Sequence, residues 1–147
     1  MFFRIPALDT LIHELTRLPG IGEKSAQRLA FHILQEGPDF AGRLQKSLSD
    51  IQTQVRRCNN CFSYTDQELC RICEDSQRLG NMICVVEEPS DVVRIESLAS
   101  FRGLYHVLDG TISPLDGVSP NDLRIDSLVA KIKASQGGEK PISEVIL

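Results

Sequence analysis

Four cysteines in two closely spaced pairs are the residues whose type and spacing could do chemistry in this chain. They are Cys58, Cys61, Cys70 and Cys73. Two residues within each pair let a tight turn direct both sulfurs to one point, and the eight residues between the pairs can bring the second pair back to the first. This spacing is typical of a tetrahedral Zn²⁺ site. Four thiolates leave no position open for water, so the zinc would be structural rather than catalytic.

The alternatives for these cysteines are a pair of disulfides and a redox C-x-x-C motif. The N-terminus shows no secretory signal, which argues against disulfides because the cytosol keeps thiols reduced. A redox motif needs no second copy. The fifth cysteine, Cys84, lies in a short apolar run and is expected to be a small buried side chain.

Composition indicates a globular protein with an uneven distribution of charge. The chain has 147 residues, of which 41% are hydrophobic and 24% charged. No apolar run approaches the length of a membrane-spanning helix, so we expect a cytoplasmic protein. The net charge is −4, but residues 1–57 carry 8 basic and 6 acidic side chains, whereas residues 74–147 carry 7 and 12. This asymmetry permits the N-terminal part to face phosphates.

The N-terminal part predicts two helices joined by a glycine turn. Apolar residues recur at helical spacing from about Ala7 to Arg17 and again from Glu23 to Gln35. Between them, Pro19 denies an N–H to a helix, while Gly20 and Gly22 allow backbone angles that other residues resist. Helix, tight glycine turn and helix together form a helix–hairpin–helix pattern.

This turn is a candidate phosphate site. Backbone N–H groups at Gly20 and Gly22 could meet a phosphate that no Cβ obstructs. Lys24 and Arg28 stand one turn apart on the second helix and could neutralise adjacent phosphates of a nucleic acid without reading its sequence. The alternative is an ordinary helix–helix turn beside a solvated basic face.

A third helix and an alternating region follow. An apolar stripe predicts a helix from about residue 38 to Arg57 that packs back on the hairpin. Beyond residue 80, apolar runs predict three strands at 82–86, 104–108 and 145–147. Helices capped by Ser90 and beginning near Ile125 connect them. Strands that alternate with helices favour a parallel sheet. Because the chain ends inside a predicted buried strand, we expect it to be a fragment.

Glu87 is a candidate Mg²⁺ ligand. It follows the first predicted strand, where α/β sheets place ligand groups. Mg²⁺ commonly binds one or two carboxylates with waters and phosphate, but the chain has no Asp-x-Asp pair to supply partner ligands. The alternative is an acidic side chain that suits the N-terminus of the following helix.

Several motifs, in this order, resemble the bacterial recombination mediator RecR family. They are the segments Leu18–Phe31, the four cysteines, Ile83–Pro89, Arg102–Leu108 and Ile112–Gly117. The resemblance covers nearly the whole chain. It implies an α+β protein of three modules: a helix–hairpin–helix at 1–57, a four-cysteine zinc finger at 58–73 and an incomplete α/β Toprim domain with a parallel sheet at 80–147.

The resemblance also implies a function and partners. Family members act in recombinational DNA repair with RecO and RecF, form ring-like oligomers that can encircle DNA, and help load a recombinase at the nucleoid. They are not known as enzymes. Lys24 and Arg28 match the family's basic DNA-contacting positions, and Glu87 matches the Toprim glutamate. Catalytic Toprim relatives pair that glutamate with an Asp-x-Asp motif, which this chain lacks.

Two other functions stay open from the sequence alone. One is a Mg²⁺-dependent Toprim nuclease or primase-like enzyme, which would need several convergent carboxylates. The other is a protein–protein adaptor that docks through its zinc finger and has no affinity for DNA.

Overall fold

The computed structural model describes residues 5–147, so the first four residues of the predicted module 1–57 lie outside the described part. The chain forms two compact units, Met1–Thr53 and Gln54–Leu147. The cysteines therefore belong to the same unit as the C-terminal sheet. None of the helices within residues 5–147 is long and apolar enough to cross a membrane.

The first unit contains the predicted pair of helices. α1 (Pro6–Thr16) packs against α2 (Glu23–Glu36). Leu8 on α1 and two alanines on α2, Ala26 and Ala30, are buried, the alanines completely. Small side chains let two helices approach closely, so the periodicity correctly predicted the hairpin.

The third helix, α3 (Pro38–Gln54), differs from the prediction in its end and in its packing. It ends before Arg57 because residues 56 and 57 form β1 (Arg56–Arg57), which pairs antiparallel with β2 (Tyr64–Thr65). The ring of Phe40 packs edge-on against the imidazole of His32 on α2, with 5.9 Å between the ring centroids. No residue of α3 is buried, however, and the middle of its stripe is exposed. The prediction that this stripe packs on the hairpin was therefore wrong.

The second unit contains a three-stranded parallel sheet. Its strands are β3 (Leu79–Val86), β4 (Gly103–Val107) and β5 (Glu144–Ile146), in the order β4-β3-β5. A short helix, α4 (Arg71–Glu74), precedes the sheet, and the crossovers are α5 (Pro89–Ser97) and α6 (Ile125–Ser135). The parallel sheet confirms the predicted architecture.

Two details of the sheet correct the sequence analysis. The cap of α5 is Glu88 rather than Ser90, because the helix begins at Pro89 and the backbone N–H of Glu88 donates to the Asp91 carboxylate at 3.0 Å. β5 is exposed along its length rather than buried, because its main contacts are with β3 alone, whereas β4 at the other edge is covered by the cysteine-bearing segment.

Apolar side chains pack on both faces of β3. On one face, Ile83 and Val85 pack in a cluster with Leu128 of α6. Val86 packs in a cluster with three of the cysteines and with Val92, Tyr105 and Val107. Successive residues of a strand face opposite sides, which explains the two clusters. The zinc-finger segment thus forms part of the core of the second unit.

Candidate zinc centre and nucleic-acid interface

The first cysteine pair is shaped by a tight turn. The N–H of Phe62 donates to the Cys58 carbonyl at 3.0 Å, and the N–H of Cys58 donates to the Ser63 carbonyl at 2.8 Å. Phe62 itself has a φ of 65°, in the left-handed region. These bonds turn the chain sharply after Cys61, so that both sulfurs of the pair point to one side.

The second pair is brought against the first by backbone contacts. The N–H of Asn59 donates to the Glu68 carbonyl at 2.9 Å. The N–H of Glu74 donates to the Cys70 carbonyl at 3.0 Å, which forms the single turn of α4. All four sulfurs consequently lie within 4.8 Å of one another.

The sulfur positions fit a tetrahedral metal ion. Zn–S bonds of about 2.3 Å in a tetrahedron place sulfurs roughly 3.8 Å apart. Cys61 Sγ lies 3.5 Å from Cys70 Sγ, and the spread of the whole set is within 4.8 Å. Cys58 and Cys61 are at most 1% exposed, so water has little access to the site.

The electrostatics of the closely packed thiols also favour a bound cation. Hydrogen bonds from Cys61 and Cys73 lower the pKa of Cys70 to about 2. Hydrogen bonding to Cys70 and Cys73, together with burial, raises the pKa of Cys61. Such closely packed thiols cannot all ionise unless a cation neutralises them, and Zn²⁺ supplies that charge.

Two N–H groups donate to the sulfurs and hold them in place. The backbone N–H of Cys70 lies 3.3 Å from Cys58 Sγ, and the side-chain amide of Asn60 lies 3.4 Å from Cys73 Sγ. Bonds of this kind orient metal ligands and reduce the charge they carry.

The turn between α1 and α2 contains two glycines in different conformations. Gly20 has a φ of 80°, which only glycine adopts without strain. Gly22 precedes α2 with extended angles that any residue could adopt, and a Cβ added there would meet no atom within 4 Å. Neither conformation nor packing within the chain therefore requires glycine at position 22.

The two predicted cations lie on the solvent-facing surface of α2. Lys24 and Arg28 are exposed. Arg28 also lines an open cavity of about 390 Å³ with Ser25, Leu29 and His32. Leu29 belongs to the apolar stripe that was predicted to face inward, yet it is 40% exposed. The outer surface of α2 thus combines positive charge with an apolar side chain.

Comparison with known proteins identifies the modules. Residues 8–52 match the RecR helix-hairpin-helix, residues 55–75 the four-cysteine zinc finger domain of RecR and residues 81–147 a Toprim domain. The Recombination protein RecR of Bdellovibrio bacteriovorus is 52% identical over 144 residues, which are 97% of this chain and 71% of that protein. The chain belongs to the RecR family.

Other relatives give the same result. Recombination protein RecR of Streptomyces coelicolor is 51% identical over 95% of this chain and 68% of its own length. The protein of that name from Chlorobium phaeobacteroides is 46% identical over the whole chain and 72% of its own length. The predicted order of helix–hairpin–helix, four-cysteine finger and Toprim domain is thereby confirmed, as is the role in recombination.

In this RecR chain, Glu87 is exposed at the end of β3, beside a cavity of about 260 Å³ that Gly110 also lines. It shares a second cavity with Asp91, whose carboxylate binds Arg94 at 3.0 Å. The neighbouring Asp109 binds Arg57 at 2.8 Å and Arg124 at 2.6 Å. Within residues 5–147, the four cysteines form the only cluster of three or more potential metal-ligating side chains.

Sequence analysis missed the residues that join the finger to the sheet. The N–H of Val107 donates to the Cys61 carbonyl at 2.9 Å, and Arg57 binds the carboxylate of Asp109, two residues beyond β4, at 2.8 Å. It also missed Lys131, which bonds to the Asn60 carbonyl. Lys131 falls three residues after the buried Leu128, so a charged residue at a core-facing helical position was the available signal.

Proposed function

We propose that this chain is a non-enzymatic mediator of recombinational DNA repair that binds the phosphate backbone of DNA through the turn between α1 and α2. It acts in the cytoplasm at the nucleoid, with RecO-type and RecF-type proteins and with further copies of itself. A structural Zn²⁺ bound by the four cysteines maintains the second unit. The predicted division into modules 1–57, 58–73 and 80–147 is part of this proposal.

The observation that carries the proposal is the open N-terminus of α2. Gly22 is the N-cap of this helix, no side chain caps the first N–H groups, and a Cβ at position 22 would meet no atom within 4 Å. Glycine is a favoured N-cap residue, which accounts for part of its use here. It also leaves the backbone open to close approach, and a phosphate on the helix N-terminus is a ligand that uses such an opening.

Charge around the turn supports the same interpretation. The first N–H groups of α2 have no intrahelical acceptor, so they can donate to phosphate oxygens. Lys24 and Arg28 supply two cations on the same helix. Glu23 opposes binding, since its carboxylate occupies the first turn. The affinity of one hairpin should therefore be modest, and several hairpins in an oligomer would add to it.

The proposal gives Glu87 no catalytic step. Metal-assisted phosphoryl transfer relies on carboxylates that converge on the ion. Of the acids near this edge of the sheet, Asp109 is held by Arg57 and Arg124 and Asp91 by Arg94. A Mg²⁺ ion that recruited either carboxylate beside Glu87 would compete with these ion pairs.

A DNA titration of the full chain at two salt concentrations tests the proposal. Lys24→Glu with Arg28→Glu should abolish binding, because both changes put negative charge beside the phosphates. Each lost phosphate contact removes about 0.9 from the slope of log K against log salt on duplex DNA. Replacement of Lys24 and Arg28 by neutral residues should therefore make the slope shallower by roughly 1.8 for every hairpin that contacts the DNA.

A matched control separates local contact from net charge. Lys133→Glu with Lys140→Glu changes the total charge equally at two exposed positions of the other unit. This variant should bind DNA as the unchanged chain does. If both double variants lose affinity equally, binding depends on overall charge and the turn is not the site. DNA affinity that Lys24→Glu with Arg28→Glu leaves intact would place the DNA site elsewhere, and no DNA affinity in the unchanged chain would favour the adaptor function.

A further inference from the structure

Lys131 connects α6 to the cysteine-bearing segment. Its ammonium group donates to the backbone carbonyl of Asn60, the residue before Cys61. It also lies 3.3 Å from Nδ1 of His106 on β4. The side chain of a lysine that makes two such bonds inside a protein is held in one position rather than free in solvent.

His106 fixes that position and is neutral. The residue is completely buried, and burial lowers its pKa. Because a lysine ammonium can only donate, Nδ1 must be the acceptor and the ring proton resides on Nε2. Nε2 then donates to the Arg124 carbonyl at 2.8 Å. The imidazole therefore orients Lys131 without adding a positive charge of its own.

The positive charge of Lys131 can offset the negative charge of the zinc-bound thiolates. Four thiolates around Zn²⁺ carry a net charge of −2 in a site where two cysteines are fully shielded from solvent. A buried charge is costly unless it is compensated. Burial lowers the pKa of Lys131, while the thiolates of Cys73, Cys61 and Cys58 act in the opposite direction. The ammonium therefore lies within electrostatic reach of three of the four ligands.

Two arginines beside the finger are committed elsewhere, and Arg71, which follows Cys70, is exposed to solvent. Arg57 and Arg124 both bind the carboxylate of Asp109, at 2.8 and 2.6 Å. Their guanidinium groups also stack on the rings of Tyr64 and Phe62. The charge of this pair is thus largely balanced by Asp109, whereas Lys131 makes no ion pair with a carboxylate among the described residues.

We propose that Lys131, oriented by His106 and the Asn60 carbonyl, is a positioning residue that offsets the negative charge of the zinc tetrathiolate and slows loss of the metal. The inference rests on the zinc site of the proposed function. It adds that a residue of the Toprim module, 58 residues beyond the last ligand in sequence, controls metal retention by the finger.

Zinc release from the zinc-loaded full chain tests this role. The rate is followed at constant pH with an excess of a chromogenic chelator. Lys131→Met and Lys131→Gln should release zinc about 10- to 100-fold faster, the range found when partners of metal ligands are removed. Lys131→Arg should restore slow release, and Lys133→Met, an exposed change on the same helix, should have no effect.

The glutamine variant and cobalt substitution separate charge from structure. The side-chain amide introduced by Lys131→Gln can still donate to the Asn60 carbonyl but carries no charge, so slow release from this folded variant would overturn the proposal. With Co²⁺ bound, loss of the nearby cation raises the energy of the sulfur lone pairs. The thiolate-to-cobalt charge-transfer band should move to lower energy while the tetrahedral ligand-field bands persist. An unmoved band in both neutral variants would refute the proposal, and a zinc-free wild-type chain would refute it together with the metal site.

Discussion

Arg78 and Glu96 form a shielded ion pair that links the end of the finger segment to the sheet. The Arg78 guanidinium donates to both oxygens of Glu96, and its side chain is only 10% exposed. It also donates to the carbonyls of Phe101 and Gly103 at 3.3 Å. Tyr105 completes the network, because its hydroxyl donates to Glu96 at 2.6 Å. Glu96→Gln removes the negative charge of this network while the side chain keeps its size.

The magnitude of the effect follows from burial. Loss of one partner from a fully buried pair costs about 3–5 kcal/mol because the remaining charge has no compensation. The Glu96 side chain is 27% exposed, and a glutamine oxygen can still accept one bond from Arg78 or Tyr105. We therefore expect Glu96→Gln to lower the free energy of unfolding of the second unit by about 2–3 kcal/mol.

Urea unfolding with zinc present measures this change. The chain has two tyrosines and no tryptophan, and both tyrosines lie in the second unit, so tyrosine fluorescence reports that unit alone. Arg94→Gln is the matched control, because it breaks an ion pair on the same helix in which Arg94 is 76% exposed. A surface pair of that kind contributes at most about 1 kcal/mol.

The effect should depend on pH in a defined direction. Hydrogen bonding to Arg78 lowers the pKa of Glu96 below its ordinary value of 4.5. A lowered carboxyl pKa stabilises the folded state above pH 4.5, and this contribution is lost as pH falls through the folded pKa. The difference between wild type and Glu96→Gln should therefore shrink in acid. A difference no larger than that of Arg94→Gln at neutral pH would refute the buried-pair argument.

Three other perturbations test the two units separately. Removal of zinc by a chelator should abolish cooperative unfolding of the second unit, followed by tyrosine fluorescence, because the cysteines belong to its core. The helical signal of the first unit, followed by circular dichroism, should persist. Gly20→Ala should destabilise the first unit by about 1–2 kcal/mol because of its left-handed backbone. Gly22→Ala should lower stability by only about 0.5–1 kcal/mol, because alanine is a poorer N-cap than glycine, and should leave the first unit folded yet weaken DNA binding. Equal DNA affinity in this variant would contradict a close phosphate contact.

Local patterns predicted much of the fold, and long-range contacts account for the errors. Helical periodicity placed α1 and α2 to within about a residue, since an amphipathic stripe is a property of the segment itself. The end of α3 was wrong because residues 56 and 57 pair with a strand that lies beyond the first cysteines. Sequence could not show that β5 is an edge strand, because neighbours in a sheet are set by the whole chain.

Site residues were likewise predictable where the constraint is local in sequence and not where the partner is distant. The four cysteines were predictable because ligand spacing is a local constraint of the metal. Lys131 and Arg78 were not, since their partners lie far away in sequence: Asn60 is 71 residues from Lys131, and Glu96 is 18 residues from Arg78. A charged residue in a helix stripe or beside a buried strand indicates such a partner but does not name it.

The contacts between finger and sheet explain why the cysteines belong to the same compact unit as the sheet. Val107 binds the carbonyl of a cysteine, Asp109 binds an arginine that immediately precedes the first cysteine, and Lys131 binds the backbone between the first two cysteines. Each contact requires the finger backbone to hold the shape that a bound metal would impose. Zinc should therefore stabilise the second unit through these contacts, and Lys131 should in turn help to retain the zinc. Once the metal is lost, a Lys131 variant and the chelated unchanged chain should consequently reach the same unfolded form of the second unit.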